Sequence, residues 1–183
     1  TTINTGGNLD LDLGVGADLT MDHTINLNGG ELDVTTSAAT TWSLGGTVNA
    51  AGGATSTINS AGETFIINGD VHVTANSALT INSVSEFSAI SAVAIDAGSS
   101  LNMGSATYNG GSYTGAGIFR KGTATVATAT TWNVATVDLD DGDTTLNANL
   151  TINADAIEDV GTTMDASIIV NGDVPGNWAS PGQ

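Results

Sequence analysis

A three-residue unit, Thr-Ile-Asn, recurs at Thr2-Ile3-Asn4, Thr24-Ile25-Asn26, Thr57-Ile58-Asn59, Thr80-Ile81-Asn82 and Thr151-Ile152-Asn153. Looser copies stand between them at Thr47-Val48-Asn49, Ile66-Ile67-Asn68, Ser100-Leu101-Asn102 and Ile169-Val170-Asn171. A short unit repeated at a near-constant step constrains architecture strongly, because each copy must occupy a similar environment. The steps are 22 residues from Ile3 to Ile25, 23 from Ile25 to Val48, 23 from Ile58 to Ile81 and 20 from Ile81 to Leu101. Such a length fits one coil of a β-solenoid, in which short strands are joined by turns and the next coil stacks on top. Strands in the stack lie ~4.8 Å apart, so equivalent side chains form ladders. The pattern predicts all-β structure, a parallel β-helix with coils of 20–23 residues and a buried column of Ile. It places each following Asn at a corner, where Asn tolerates positive φ and bonds to the Asn of the next coil.

The stretches between the repeats alternate at period two, which puts one side of a strand inward and the other outward. Leu9, Leu11 and Leu13 share a side, as do Leu32 and Val34, so Asp10, Asp12, Glu31 and Asp33 point to solvent. Val71, Val73, Leu79, Ile81, Val93, Ile95, Leu101 and Met103 continue the apolar set. Residues 104–123 hold both tyrosines and the only two basic residues, Arg120 and Lys121. They read equally as a surface loop or as a coil whose Tyr113 and Phe119 fill the core. Residues 153–160 read as one or two helical turns. A competing fold is an antiparallel β-sandwich, since Asn28-Gly29 and Asn68-Gly69 between apolar runs are hairpin signals.

Residues 1–174 are expected to form a single domain. Ala39-Thr-Thr-Trp42 returns as Ala129-Thr-Thr-Trp132, which suggests a loose duplication with halves of about 1–91 and 92–174. Residues 175–183 contain both prolines and read as a tail or linker. The chain starts inside a repeat at Thr1, which suggests a processed form or a segment of a longer chain.

Charge narrows the function classes. Nineteen Asp and Glu face two Lys and Arg, a net charge of −17. Nucleic-acid binding needs a basic surface, and none is available. Anionic lipid surfaces are disfavoured for the same reason. No apolar run approaches the ~20 residues of a membrane-spanning helix. There is no Cys, so stability must come from packing and backbone ladders.

Little in the sequence supports catalysis. Arg120 and Lys121 are neighbours and would point to opposite sides of a strand. Paired carboxylates are unavoidable among so many acids and carry no specificity. No nucleophile elbow, phosphate loop or His/Cys ligand set is present, so no catalytic or cofactor-binding residue is assigned. The best ionic candidate is a Ca²⁺ site at Asp138, Asp140, Asp141 and Asp143, four carboxylates within six residues. It departs from the EF-hand pattern: Gly142 is misplaced, and Asn149 stands where a twelfth-position Glu is needed.

The Thr-Ile-Asn strands, the Asn-Gly turns and the run Gly110-Gly-Ser-Tyr-Thr-Gly-Ala-Gly117 resemble the β-helical passenger and stalk regions of bacterial autotransporters and haemagglutinin-like adhesins. The resemblance lies in composition and rhythm and spans most of the chain. It implies a right-handed β-helix at the cell surface, and no catalytic residue of such families has a counterpart here. The expected role is a structural or adhesive extracellular protein, a stalk segment or filament subunit. It would self-associate through β-strand pairing or continue a longer chain, and meet a surface glycan or protein receptor. Alternative roles are a carbohydrate-active β-helix enzyme and a viral tail-fibre or spike segment.

Overall fold

The computed structural model describes residues 1–14, 18–36, 41–61, 65–88, 91–139, 144–158, 162–164 and 168–171. Among these residues there are strands and no helix. The chain winds through β1 (Thr2–Asn4), β2 (Asn8–Leu13) and β3 (Leu19–Met21), then β4 (Ile25–Asn28), β5 (Glu31–Thr36) and β6 (Trp42–Leu44). The next coil is β7 (Val48–Ala50), β8 (Thr55–Ala61) and β9 (Phe65–Ile67). After it come β10 (Val71–Val73) with β11 (Ala78–Phe87), and β12 (Ala92–Ile95) with β13 (Ser100–Tyr108). β14 (Ser112–Arg120) and β15 (Thr123–Val126) follow, then β16 (Thr130–Asp138) and β17 (Thr144–Leu146). The described strands end with β18 (Leu150–Asn153), β19 (Ala156–Glu158), β20 (Thr162–Met164) and β21 (Ile168–Asn171).

All named strand pairs are parallel, and they stack into three faces. Face one is β1, β4, β7, β10, β12, the first parts of β14 and β16, β18 and β21. Face two is β2, β5, β8, the first parts of β11 and β13, the ends of β14 and β16, and β19. Face three is β3, β6, β9, the ends of β11 and β13, β15, β17 and β20. This is a β-solenoid, and the sandwich alternative is excluded. Asn28-Gly29 and Asn68-Gly69 mark corners of coils, not hairpins. Gly69 lies so close to the Gly46 carbonyl below that a Cβ there would collide with it.

The interior is a continuous apolar column. On face one, Ile25, Val48, Val71, Val93, Tyr113, Trp132 and Ile152 are successive register partners, and all are buried. Each such side chain contributes roughly 1.5–3 kcal/mol on full burial. Ile3, Ile25, Ile58, Ile81 and Ile152 are all buried, as the repeat predicts. They do not form one column, however. Ile3, Ile25 and Ile152 lie on face one, Ile58 and Ile81 on face two. Two register steps also shift: Ile3 pairs with Leu27, and Ile81 with Met103. Both slips are by two residues, which keeps the same side inward.

Coil length is less uniform than 20–23 residues. Thr2 pairs with Asn26, 24 positions on, whereas Ile152 pairs with Val170, only 18 on. The early coils use separate corner loops. Later ones bend inside a continuous strand, as β14 does where its register shifts between Gly115 and Ile118. The asparagines meet the expectation in part: they bond from coil to coil, Asn4 and Asn153 end their strands, and Asn82 sits where β11 shifts register. Asn26 and Asn59 lie within β4 and β8. Among the described residues the only non-glycine positions with positive φ are Ala75 and Asn76. Residues 153–158 form no helical turn: Asn153 ends β18 and Ala156–Glu158 is β19. Residues 104–123 run from the end of β13 through β14 to the start of β15, with the turns between them, and Tyr113 and Phe119 are in the core.

Buried serines close the corner between faces one and two. Ser56 Oγ accepts from Gly29 N (3.0 Å) and donates to Leu27 O (3.1 Å) in the coil below. Ser77 Oγ accepts from Gly53 N in the same way (3.0 Å). These hydroxyls satisfy the corner N–H groups of Gly29 and Gly53, and Ser56 gives Leu27 O a second donor beside Ala51 N. Among the described residues no helix is long and apolar enough to cross a membrane. The prolines and the tail from 175 onward lie outside the described residues.

Candidate functional site

Parallel in-register stacking sets like residues above one another, and the outward positions become ladders of amides and acids. Asn49 Nδ2 donates to Asn26 Oδ1 (2.9 Å), and Asn28 Nδ2 to Asn4 Oδ1 (3.2 Å), on face one. On face two Asn82 Nδ2 donates to Asn59 Oδ1 (3.1 Å). Asn59 Nδ2 in turn reaches Glu31 Oε1 (2.5 Å) and Asp33 Oδ1 (2.6 Å), and Asn8 Nδ2 reaches Asp33 Oδ2 (2.9 Å). Asp33 therefore accepts from amides of the coils on either side, and it shares Asn59 with Glu31. Asp10 is the register partner of Asp33, an arrangement that like-charge repulsion opposes. A shallow groove lined by Asp10, Leu11, Asp33, Val34, Thr35 and Asn59 runs along this cluster.

A second ladder contains the arginine. Asn102, Arg120 and Asp138 are successive register partners on face two. Arg120 Nε donates to Asp138 Oδ2 at 3.2 Å, and Nη1 donates to Asn102 Oδ1 at 3.0 Å. Asp138 is buried at the end of β16. Of the four acids predicted to hold Ca²⁺, only Asp138 is described, and its carboxylate meets Arg120. Asp140, Asp141 and Asp143 lie outside the described residues. Among the described residues no group of three His, Cys, Asp or Glu side chains is arranged to hold a metal ion. His23 is exposed at a corner, and His72 sits on an outward position of β10.

Lys121 is buried, unlike its outward neighbour Arg120, and its ammonium donates to Gly122 O at 2.8 Å. The sequence correctly separates the two basic residues to opposite sides. The Asn102–Arg120–Asp138 ladder was not legible in it, because its 18-residue step is shorter than the repeat suggests. Near Lys121 an aromatic cluster fills the core: Phe87, Tyr108, Tyr113, Phe119 and Trp132 meet mostly edge to face. Burial pushes both Tyr108 and Tyr113 phenols far up, Tyr113 further through its proximity to Tyr108. Neither is an available acid or base at neutral pH.

The other feature is an edge. Among the described residues β1, β2 and β3 pair on one side only, with β4, β5 and β6. The ladder there ends in half-buried Leu9, Leu11, Leu13, Leu19 and Met21, whereas Leu32, Val34, Trp42 and Leu44 one coil on are fully enclosed. An apolar end whose strands pair on one side only among the described residues is a template for another strand. No protein-family model, no curated protein and no solved structure matches this chain.

Proposed function

We propose that the chain is a structural segment of an extracellular surface stalk or filament, extended by β-strand addition at the edge formed by β1, β2 and β3. The single observation that carries this reading is that edge: among the described residues three strands pair on one side only, and Leu9, Leu11 and Leu13 on β2 are only partly covered. A further coil, from a longer chain or from another copy, would pair the backbone and cover the leucines. Head-to-tail addition of this kind does not close and gives a fibre. In this reading the role is mechanical and adhesive, and the described polar ladders tie one coil to the next. No cofactor is required by it. The net charge of −17 opposes end-to-end contact, so association should strengthen as salt screens the acids. Electron microscopy of the purified chain tests the reading. Rods that shorten to single particles in Leu11→Lys support it. Compact particles at every salt concentration, identical in wild type and variant, would sink it.

A further inference from the structure

The first coil presents its acids differently from the coil above it. On face two Asn59, Asp33 and Asp10 are successive register partners. Both oxygens of Asp33 are taken, Oδ1 by Asn59 Nδ2 at 2.6 Å and Oδ2 by Asn8 Nδ2 at 2.9 Å. Asp10 and Asp12 stand exposed on β2 between the half-buried Leu9, Leu11 and Leu13. Among the described residues no side chain donates a hydrogen bond to either carboxylate. The side from which a donor would come is the side on which β2 has no strand partner among those residues. A strand added there would lie ~4.8 Å away, with alternate side chains under the leucines and the others beside Asp10 and Asp12. The only two basic residues of the chain are engaged far from this edge. Arg120 bonds Asp138 and Asn102, and Lys121 is buried with its ammonium on Gly122 O.

We propose that the free side of β2 takes a basic strand from a different protein, an extended segment with apolar residues at alternate positions and lysine between them. The inference rests on the reading of the β1–β3 edge as a site of strand addition, and it names the occupant. Backbone pairing and the apolar residues supply affinity, since they cover Leu9, Leu11 and Leu13. Lysine beside Asp10 and Asp12 supplies selectivity, because opposite charges stabilise a cross-strand pair and like charges oppose it. Asp33 displays the arrangement inside the stack, where N–H donors of both neighbouring coils meet the acid. An ammonium gives Asp10 the same donor and also neutralises a carboxylate stacked on another. A second copy has neither basic residue free to lay there, and its own charge of −17 repels the first. The same net charge steers a basic segment in. Salt therefore separates the two occupants: it weakens capture of a basic strand and strengthens addition of another copy.

Fluorescence anisotropy with the full chain and two labelled, end-blocked peptides tests the proposal. One is Thr-Leu-Lys-Leu-Lys-Leu-Thr, and the other carries Glu at both Lys positions. At low salt the Lys peptide should bind about tenfold or more tightly than the Glu peptide, and added salt should shrink the difference. Leu11→Asn, which adds no charge, should weaken both. Asp10→Asn with Asp12→Asn should bring the two peptides within about twofold of each other. Asp96→Asn with Asp155→Asn removes two exposed acids from other coils and should leave the preference in place. A peptide of the same composition with its lysines adjacent reports general attraction to an acidic chain, and should bind about tenfold more weakly than the alternating one. Equal binding of the Lys and Glu peptides, both weakened by Leu11→Asn, would overturn the basic occupant and leave strand addition standing. Binding of neither peptide would overturn both. Equal binding of the alternating and adjacent-lysine peptides, a preference that survives loss of Asp10 and Asp12, or wild-type rods at low salt without any peptide would also overturn the proposal.

Discussion

Trp42 lies flat on Phe65, with ring centroids 3.9 Å apart and planes 4° from parallel. The two are register partners on β6 and β9, so coil stacking imposes the ring stacking. The indole N–H donates to Ser60 Oγ at 2.7 Å, which satisfies the one polar atom of a fully buried side chain. Phe65→Ala should cost about 3–5 kcal/mol through the cavity under Trp42. Ser60→Ala should cost about 1–3 kcal/mol by stranding the indole N–H. Denaturant unfolding followed by tryptophan fluorescence and circular dichroism measures both. A loss under about 1 kcal/mol for Phe65→Ala would refute the tight packing.

The Arg120–Asp138 pair predicts an asymmetry. Arg120 is one-third exposed while Asp138 is mostly covered. Arg120→Met keeps the aliphatic stem but removes the charge beside a covered carboxylate. It should destabilise by about 1–2 kcal/mol, less than a fully buried pair because water reaches the guanidinium. Asp138→Asn retains an acceptor for Arg120 and should cost less. Chemical denaturation of both variants checks the order, and a larger loss for Asp138→Asn would contradict it.

Alkaline pH should act through Tyr108 and Tyr113. Burial raises both phenols above their unfolded value of about 10. The folded state then keeps protons that the unfolded state releases. Stability from these groups is fully present below pH ~10 and is lost as pH rises towards the folded values, by about 1.4 kcal/mol per pH unit for each tyrosine. Phenolate absorbance should appear only together with loss of the β-sheet signal. Two tyrosines ionising near pH 10 in a chain with intact circular dichroism would disprove their burial.

Gly115 turns β14 from face one to face two with φ of +123°, and a Cβ there would strike the Ile95 carbonyl. Gly115→Ala should cost about 1–3 kcal/mol or more, since both the backbone conformation and the contact oppose it. Gly14→Ala serves as the control, because a Cβ added there would have no atom within 4 Å and its φ is not in the left-handed region. Thermal melts of the two variants should differ by several degrees.

The sequence by itself determined the class of fold and which residues face inward. Alternation in Asn8–Leu13 and the recurrence of Thr-Ile-Asn are local patterns, and period two is a property of the strand backbone wherever the strand is placed. Burial of Ile3, Ile58 and Ile152 followed from that alone. The tertiary structure decided which face each repeat joins, since a shift of register by two residues preserves the pattern and alters only partners. Thus Ile3 meets Leu27, and the two Ala-Thr-Thr-Trp copies put Trp42 on face three and Trp132 on face one. Corner geometry set the rest: coils that tighten from 24 to 18 residues bring Asn102, Arg120 and Asp138 into one ladder. The column of Asn59, Asp33 and Asp10 is likewise a product of stacking, because its strands lie far apart in the sequence and become neighbours only when the coils close.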